Sequence, residues 1–243
     1  EIMLQNADHT FSHIDEASEV RLAGLTDSVA GASFVDYDLD GDLDLWTPHH
    51  GYANSSGNFV FRPAHFYQNE GGALFVERTS DVGLTTRGWS NLDDINNALA
   101  HARAWSANAC DLNDDGLPEL LAASYGRAPN HLWRATGAAG AVSFENASVA
   151  SGYAYDDDLV WQDDQFARCY CAANPMAEDC AGVPPSMLDC SSINWDHDTG
   201  RQPFRLGGNS GATMCGDVDN DGDIDLLTGE IAHWWAGQGS DHA

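Results

Sequence analysis

The chain has no lysine. Its ten basic residues are all arginine, set against 38 Asp plus Glu, for a formal charge of −28 over 243 residues. Binding DNA, RNA or an anionic membrane requires a basic surface that replaces released counterions, so those partner classes are excluded. Glutamate is scarce too, with 9 residues against 29 Asp. Glu favours helices whereas Asp favours turns and caps, so the negative charge is expected in loops. No apolar run approaches the roughly 20 residues that cross a bilayer as a helix. Also missing are a G-x-S-x-G elbow, a P-loop, a dinucleotide glycine fingerprint and an H-E-x-x-H pair, so no motif points to an enzyme class.

Large apolar side chains are well supplied. Apolar residues make up 43% of the chain, including eight Trp, nine Phe and seven Tyr. That is enough for a packed core and unlike a disordered acidic tail. The six cysteines are Cys110, Cys169, Cys171, Cys180, Cys190 and Cys215. Four crowd into a short stretch, which suggests either a zinc cluster or disulfides. A single residue separates Cys169 from Cys171 and no paired Cys-x-x-Cys follows, so disulfides are the expectation, with an oxidising compartment outside the cell or at its surface.

An internal repeat organises the rest. Phe34 to Trp46 reads FVDYDLDGDLDLW, Ala109 to Leu121 reads ACDLNDDGLPELL, and Cys215 to Leu227 reads CGDVDNDGDIDLL. Counted from its first acid, each copy has an oxygen-bearing side chain at positions 1, 3, 5 and 9 and glycine at 6. The first set is Asp36, Asp38, Asp40, Gly41 and Asp44; the second Asp111, Asn113, Asp115, Gly116 and Glu119; the third Asp217, Asp219, Asp221, Gly222 and Asp225. Alternate oxygens on a tight loop suit Ca²⁺, which takes six to eight hard oxygen ligands. Glycine allows the sharp turn, after which position 7 offers its backbone carbonyl. Position 7 is Asp42, Leu117 and Asp223, and a leucine there fits a carbonyl role only. Three calcium sites are expected.

An EF-hand shares the first half of this pattern but needs Glu at position 12 and flanking helices. Position 12 is Thr47, Ala122 and Thr228, and the flanks (GASFVDYD before the first loop; LDLWT, LPELLA and IDLLT after the three) read as short strands. The unit of apolar strand, DxDxDGxxD loop, apolar strand and aromatic strand leading to another strand resembles the FG-GAP or VCBS repeat of calcium-binding β-propellers, similar to the integrin α-subunit head. The resemblance implies an all-β fold: a β-propeller of four-stranded blades, part of a seven-bladed ring, with a Cys-rich loop insertion. It divides the chain into the last strand of a preceding blade and a linker (1–30), a blade (31–84), an insertion (85–104), a second blade (105–155), an acidic, Cys-rich insertion (156–210) and the start of a third blade (211–243).

Three blades fall short of a ring, so further blades or a larger assembly are expected to cover the open faces. The function implied is a secreted or cell-surface binding, adhesion or structural module, with an extracellular protein or a carbohydrate as partner. The competing reading is an enzyme on the same scaffold, a polysaccharide lyase or hydrolase, which requires acid–base residues converging from several blades. Trp133 and the His233–Trp234–Trp235 run fall at the same place in their repeats, as core packing or as a carbohydrate-stacking platform. Asn54 and Asn146 begin N-x-S sequons. The acids Asp156, Asp157, Asp158, Asp163 and Asp164 read as a solvated loop.

Overall fold

A computed structural model describes residues 2–21, 28–53, 55, 59–88, 94, 97–125, 128–154, 165–177, 180–187, 189–190 and 210–230. Regular structure there is β apart from a 3₁₀ turn at Glu19–Arg21 and one helix of any length, α1 (Gln165–Ala173). No helix among the described residues is long and apolar enough to cross a membrane.

Two four-stranded antiparallel meanders form the body. The first runs β3 (Ser33–Val35), β4 (Asp44–Thr47), β7 (His65–Asn69), β8 (Phe75–Glu77), with a small hairpin of β5 (Tyr52–Ala53) and β6 (Phe59–Val60) inserted between β4 and β7. The second runs β9 (Ala104–Cys110), β10 (Glu119–Ser124), β11 (His131–Ala138), β12 (Ala141–Asn146). A third pair, β13 (Ser210–Gly216) and β14 (Asp225–Glu230), repeats the first two strands. In each of the three sheets one copy of the acidic Gly-containing loop joins the first strand to the second.

Burial follows strand position. The second strands of the two meanders are covered on both faces, with every residue of β4 and of β10 buried, whereas no residue of β14 is buried. The outermost strand β12 alternates, with Val142 and Phe144 inward and their neighbours exposed. Period two therefore sends alternate side chains of the first sheet to opposite sides. Trp46 and Phe66 join Leu120, Ala122, Trp133 and Phe144 in the main core between the two meanders, while Leu45 and Tyr67 pack with Ile14 and Phe75 on the far side. The Trp46 indole N–H donates to the carbonyl of Leu121 (3.3 Å), tying the sheets across the core.

The edge strand β9 lies beside both neighbouring sheets. The Asn108 amide donates to the carbonyl of Thr213 on β13 (3.2 Å), and a disulfide joins Cys110 to Cys215. On the other side Gly31 comes so close that an added Cβ would sit 2.5 Å from the backbone nitrogen of Ala107. The leading strands of the three sheets thus run side by side.

The N-terminal segment contributes two strands where one was expected. β1 (Met3–Gln5) pairs with β2 (Phe11–His13), because Asp8 closes the connecting turn by accepting the backbone N–H and hydroxyl of Thr10 (3.1 and 2.6 Å). The Cys-rich insertion is likewise more than a loop: it contains α1, held by Cys169–Cys190 and Cys171–Cys180. All six cysteines are in disulfides, which removes the zinc alternative.

Candidate metal centre

The three loops share one backbone design. Position 6 has a left-handed φ of +95° at Gly41, +86° at Gly116 and +103° at Gly222, the conformation for which glycine was expected. Position 4 is left-handed as well, at Leu39 (62°), Asp114 (56°) and Asn220 (64°). Asp and Asn tolerate this region, but Leu39 carries no such hint in its residue type.

Hydrogen bonds hold that path. The first acid of each loop accepts the backbone N–H of position 5 on one oxygen and that of position 6 on the other: Asp36 from Asp40 and Gly41 (3.1 Å each), Asp111 from Asp115 and Gly116 (3.2 and 2.9 Å), Asp217 from Asp221 and Gly222 (3.1 Å each). The position-5 acid accepts the N–H of position 7, as Asp40 does from Asp42, Asp115 from Leu117 and Asp221 from Asp223. The Leu117 side chain points into the main core, which leaves only its backbone for the loop, whereas Asp42 and Asp223 are exposed.

Position 9 does something the spacing did not announce. One oxygen of Asp44, Glu119 and Asp225 accepts the backbone N–H of position 2, at Tyr37, Leu112 and Val218 respectively (3.1, 2.8 and 2.9 Å). The other oxygen of Asp44 accepts from Asn69 N–H on β7 (2.9 Å), and that of Glu119 from Ala135 N–H on β11 (3.2 Å). These two acids, each 1% exposed, clamp the third strand of the sheet to the loop. Burial pushes the Asp44 carboxyl up to about 7, against the lowering effect of its two backbone donors. Glu119 is raised by burial in the same way.

Oxygens of Asp36, Asp38 and Asp40 lie within 4.8 Å of one another, as do oxygens of Asp217, Asp219 and Asp225. In the first group Asp44 and Asp42 stand outside the cluster. In the second loop Asn113 turns its amide toward Asp115 (3.0 Å). Asp38 differs from its counterparts, being 6% exposed while Asn113 and Asp219 are exposed. The turn between β11 and β12 covers it, with Gly140 N–H donating to the Asp38 carbonyl (2.7 Å). Gln68 donates to Asp38 Oδ2 (2.9 Å), and Asp38 Oδ1 has no hydrogen-bond partner. Burial and then the neighbouring Asp40 raise the Asp38 carboxyl above the usual carboxylate range. Gln68 has no place in the repeat pattern, and only its position on β7 brings it to the loop.

Other sequence candidates resolve differently. Trp133 is 3% exposed and belongs to the core, so it is no stacking platform; Trp234 and Trp235 lie outside the described residues, as do Asn54, His233 and the acids at 156–158, 163 and 164. The Asn146 amide donates to the Ala98 carbonyl (2.8 Å) while its oxygen accepts from fully buried Ser148, so this sequon serves the turn after β12. His49 and His131 are buried, and burial lowers the His131 pKa to about 4.

At the strand ends opposite the loops, residues of the two meanders meet. His50 Nδ1–H donates to the Ala104 carbonyl (3.2 Å), which makes Nε2 the acceptor for Arg103 Nε–H (3.3 Å). The Arg103 guanidinium lies over the Tyr125 ring (5.0 Å), and Trp105 stacks on Tyr125 (centroids 5.1 Å apart, 23° between planes) and leans on His50 (4.6 Å). Burial, then the Arg103 charge, lowers the His50 pKa. No family model matches the chain, and no curated protein matches it.

Proposed function

We infer that the three loops bind Ca²⁺ and that the chain is a run of calcium-stabilised β-propeller blades of the FG-GAP/VCBS type, acting outside the cell or at its surface as a binding, adhesion or structural module. The observation that carries the calcium reading is Asp38, a buried carboxylate whose Oδ1 has no hydrogen-bond partner and which is clustered with Asp36 and Asp40. A buried carboxylate oxygen left without a partner is costly, and buried carboxylates are found paired or on metals. The donors are hard oxygens, which suit Ca²⁺ rather than a thiolate- or imidazole-seeking metal. A cation here would be held by Asp36, Asp38 and Asp40 in the first loop, by Asp111, Asn113 and Asp115 in the second, and by Asp217, Asp219 and Asp225 in the third.

The propeller reading draws support from the two face-to-face meanders and the adjacent leading strands β3, β9 and β13. Exposed apolar residues at both ends, Met3 and Phe11 at one and Met214 and Leu227 at the other, suit cover by further blades or a partner subunit. Three disulfides fit an oxidising exterior.

The test is a melting curve in calcium and in chelator. Each occupied site at 100-fold excess over its Kd adds about 2.7 kcal/mol, or roughly 5–11 °C for a chain of this size. An unchanged midpoint would sink the calcium reading.

The enzyme reading gains one observation, since His50 and the Arg103–Tyr125 pair converge from two sheets. Both ring nitrogens of His50 are committed, however, Nδ1–H to a carbonyl and Nε2 to Arg103. A ring held this way favours a binding surface over proton transfer.

A further inference from the structure

Among the described residues three tryptophans can be compared. Trp46 and Trp133 are 1% and 3% exposed, and Trp105 is 44% exposed. Trp105 sits near the start of β9, the leading strand of the second meander, at the end away from the metal loops. An open apolar side chain alone is ordinary on a protein surface, but this large indole face is free to gain from being covered by a ligand.

Its surroundings hold it in one orientation. Tyr125 stacks nearly parallel against it and is itself fixed by its backbone N–H donating to the Arg103 carbonyl (2.8 Å). Arg103 lies on the Tyr125 ring, and its Nε–H is anchored by His50, whose other nitrogen is anchored by Ala104. A pre-ordered aromatic plane beside a phenol and a guanidinium, with the imidazole serving only to hold the guanidinium, matches one ligand chemistry closely. A pyranose ring has an apolar C–H face for the indole and equatorial hydroxyls at its rim for polar side chains. Ordering the aromatic side chains before binding also reduces the entropy lost on association. The net charge of −28 selects within that class, since long-range repulsion disfavours an acidic polysaccharide.

We propose that Trp105, with Tyr125, His50 and Arg103 around it, forms a binding platform for the pyranose rings of a neutral saccharide. This site stands apart from the calcium reading, because none of its residues lies in a metal loop.

The experiment is affinity electrophoresis of the whole chain, in calcium, through gels containing dextran, laminarin, galactomannan, xyloglucan or alginate. At least one neutral polysaccharide retards the protein; Trp105→Ala weakens that retardation about tenfold or more, and Trp105→Phe restores part of it. Trp105→Ala loses the ring contacts with Tyr125 and His50 and so melts a few degrees lower, while an unchanged circular dichroism spectrum of both variants shows that the fold is kept. The proposal is overturned if no neutral polysaccharide retards the chain, if Trp105→Ala is retarded as strongly as the parent, or if alginate retards it more than every neutral gel.

Discussion

Removing the Cys110–Cys215 disulfide tests the adjacency of the second and third sheets. This bridge joins residues 105 apart in sequence, whereas Cys171–Cys180 closes only 9. The Cys169–Cys190 bridge, nested inside the long loop, cuts 21 residues out of it. The effective loop is then about 84 residues, and the chain-entropy relation puts the constraint on the unfolded state at about 4.6 kcal/mol, against about 2.6 kcal/mol for the short Cys171–Cys180 loop. The dependence is logarithmic, so the nested bridge changes the long-loop figure by only about 0.2 kcal/mol. At 2–4 °C per kcal/mol for a chain of this length, Cys110→Ala/Cys215→Ala should melt about 9–18 °C lower at fixed calcium. Cys171→Ala/Cys180→Ala should lose roughly half as much. The assay is calorimetry or circular dichroism of both double variants beside the parent, with non-reducing peptide mapping to establish the parent's pairings. A long-loop variant that melts with the parent, or that loses less than the short-loop variant, would refute the reasoning. So would a map in which Cys110 is linked elsewhere.

Further outcomes are expected. Asp38→Ala should abolish the share of the calcium-dependent melting shift due to the first loop, while Asp42→Asn, whose exposed side chain lies outside the cluster, should leave the shift intact; calorimetric titration with Ca²⁺ would show one site fewer in the former only. Gly31→Ala should destabilise by about 1–3 kcal/mol, since the new methyl would meet the Ala107 backbone at 2.5 Å, and a urea midpoint equal to the parent's would count against the close packing of β9. His131 gives a pH dependence. Its folded pKa of about 4 lies below the ordinary 6.5, so between those values the unfolded chain binds the extra proton and stability falls as pH falls. Taken to pH 5, that one group costs about 2 kcal/mol, and His131→Asn should show a correspondingly flatter urea-stability profile between pH 7 and pH 5.

How much of this was legible depends on the range of the interactions. The three loops could be read closely because their hydrogen bonds span two to seven residues, so the residues at positions 1, 5, 6 and 9 carry the geometry with them. The third-strand clamp by Asp44 and Glu119 was not legible, since its partners Asn69 and Ala135 are 25 and 16 residues away. The helix in the Cys-rich insertion was missed for a related reason: four close cysteines announce cross-links but not the path between them.

The sequence by itself determined the repeat, the oxygen donors, the turn at each loop glycine and the even set of cysteines, because each depends on residue type and short-range spacing. Only the tertiary structure decided which copy is buried and which tryptophan is open. Asp38, Asn113 and Asp219 hold the same place in one motif, yet Asp38 alone lies under the β11–β12 turn of the next sheet and beside Gln68. Trp133 and Trp105 are equally apolar, yet one faces the packed interior and the other the open end of β9. Burial is a property of whichever distant segment lies on top, and no local pattern encodes that.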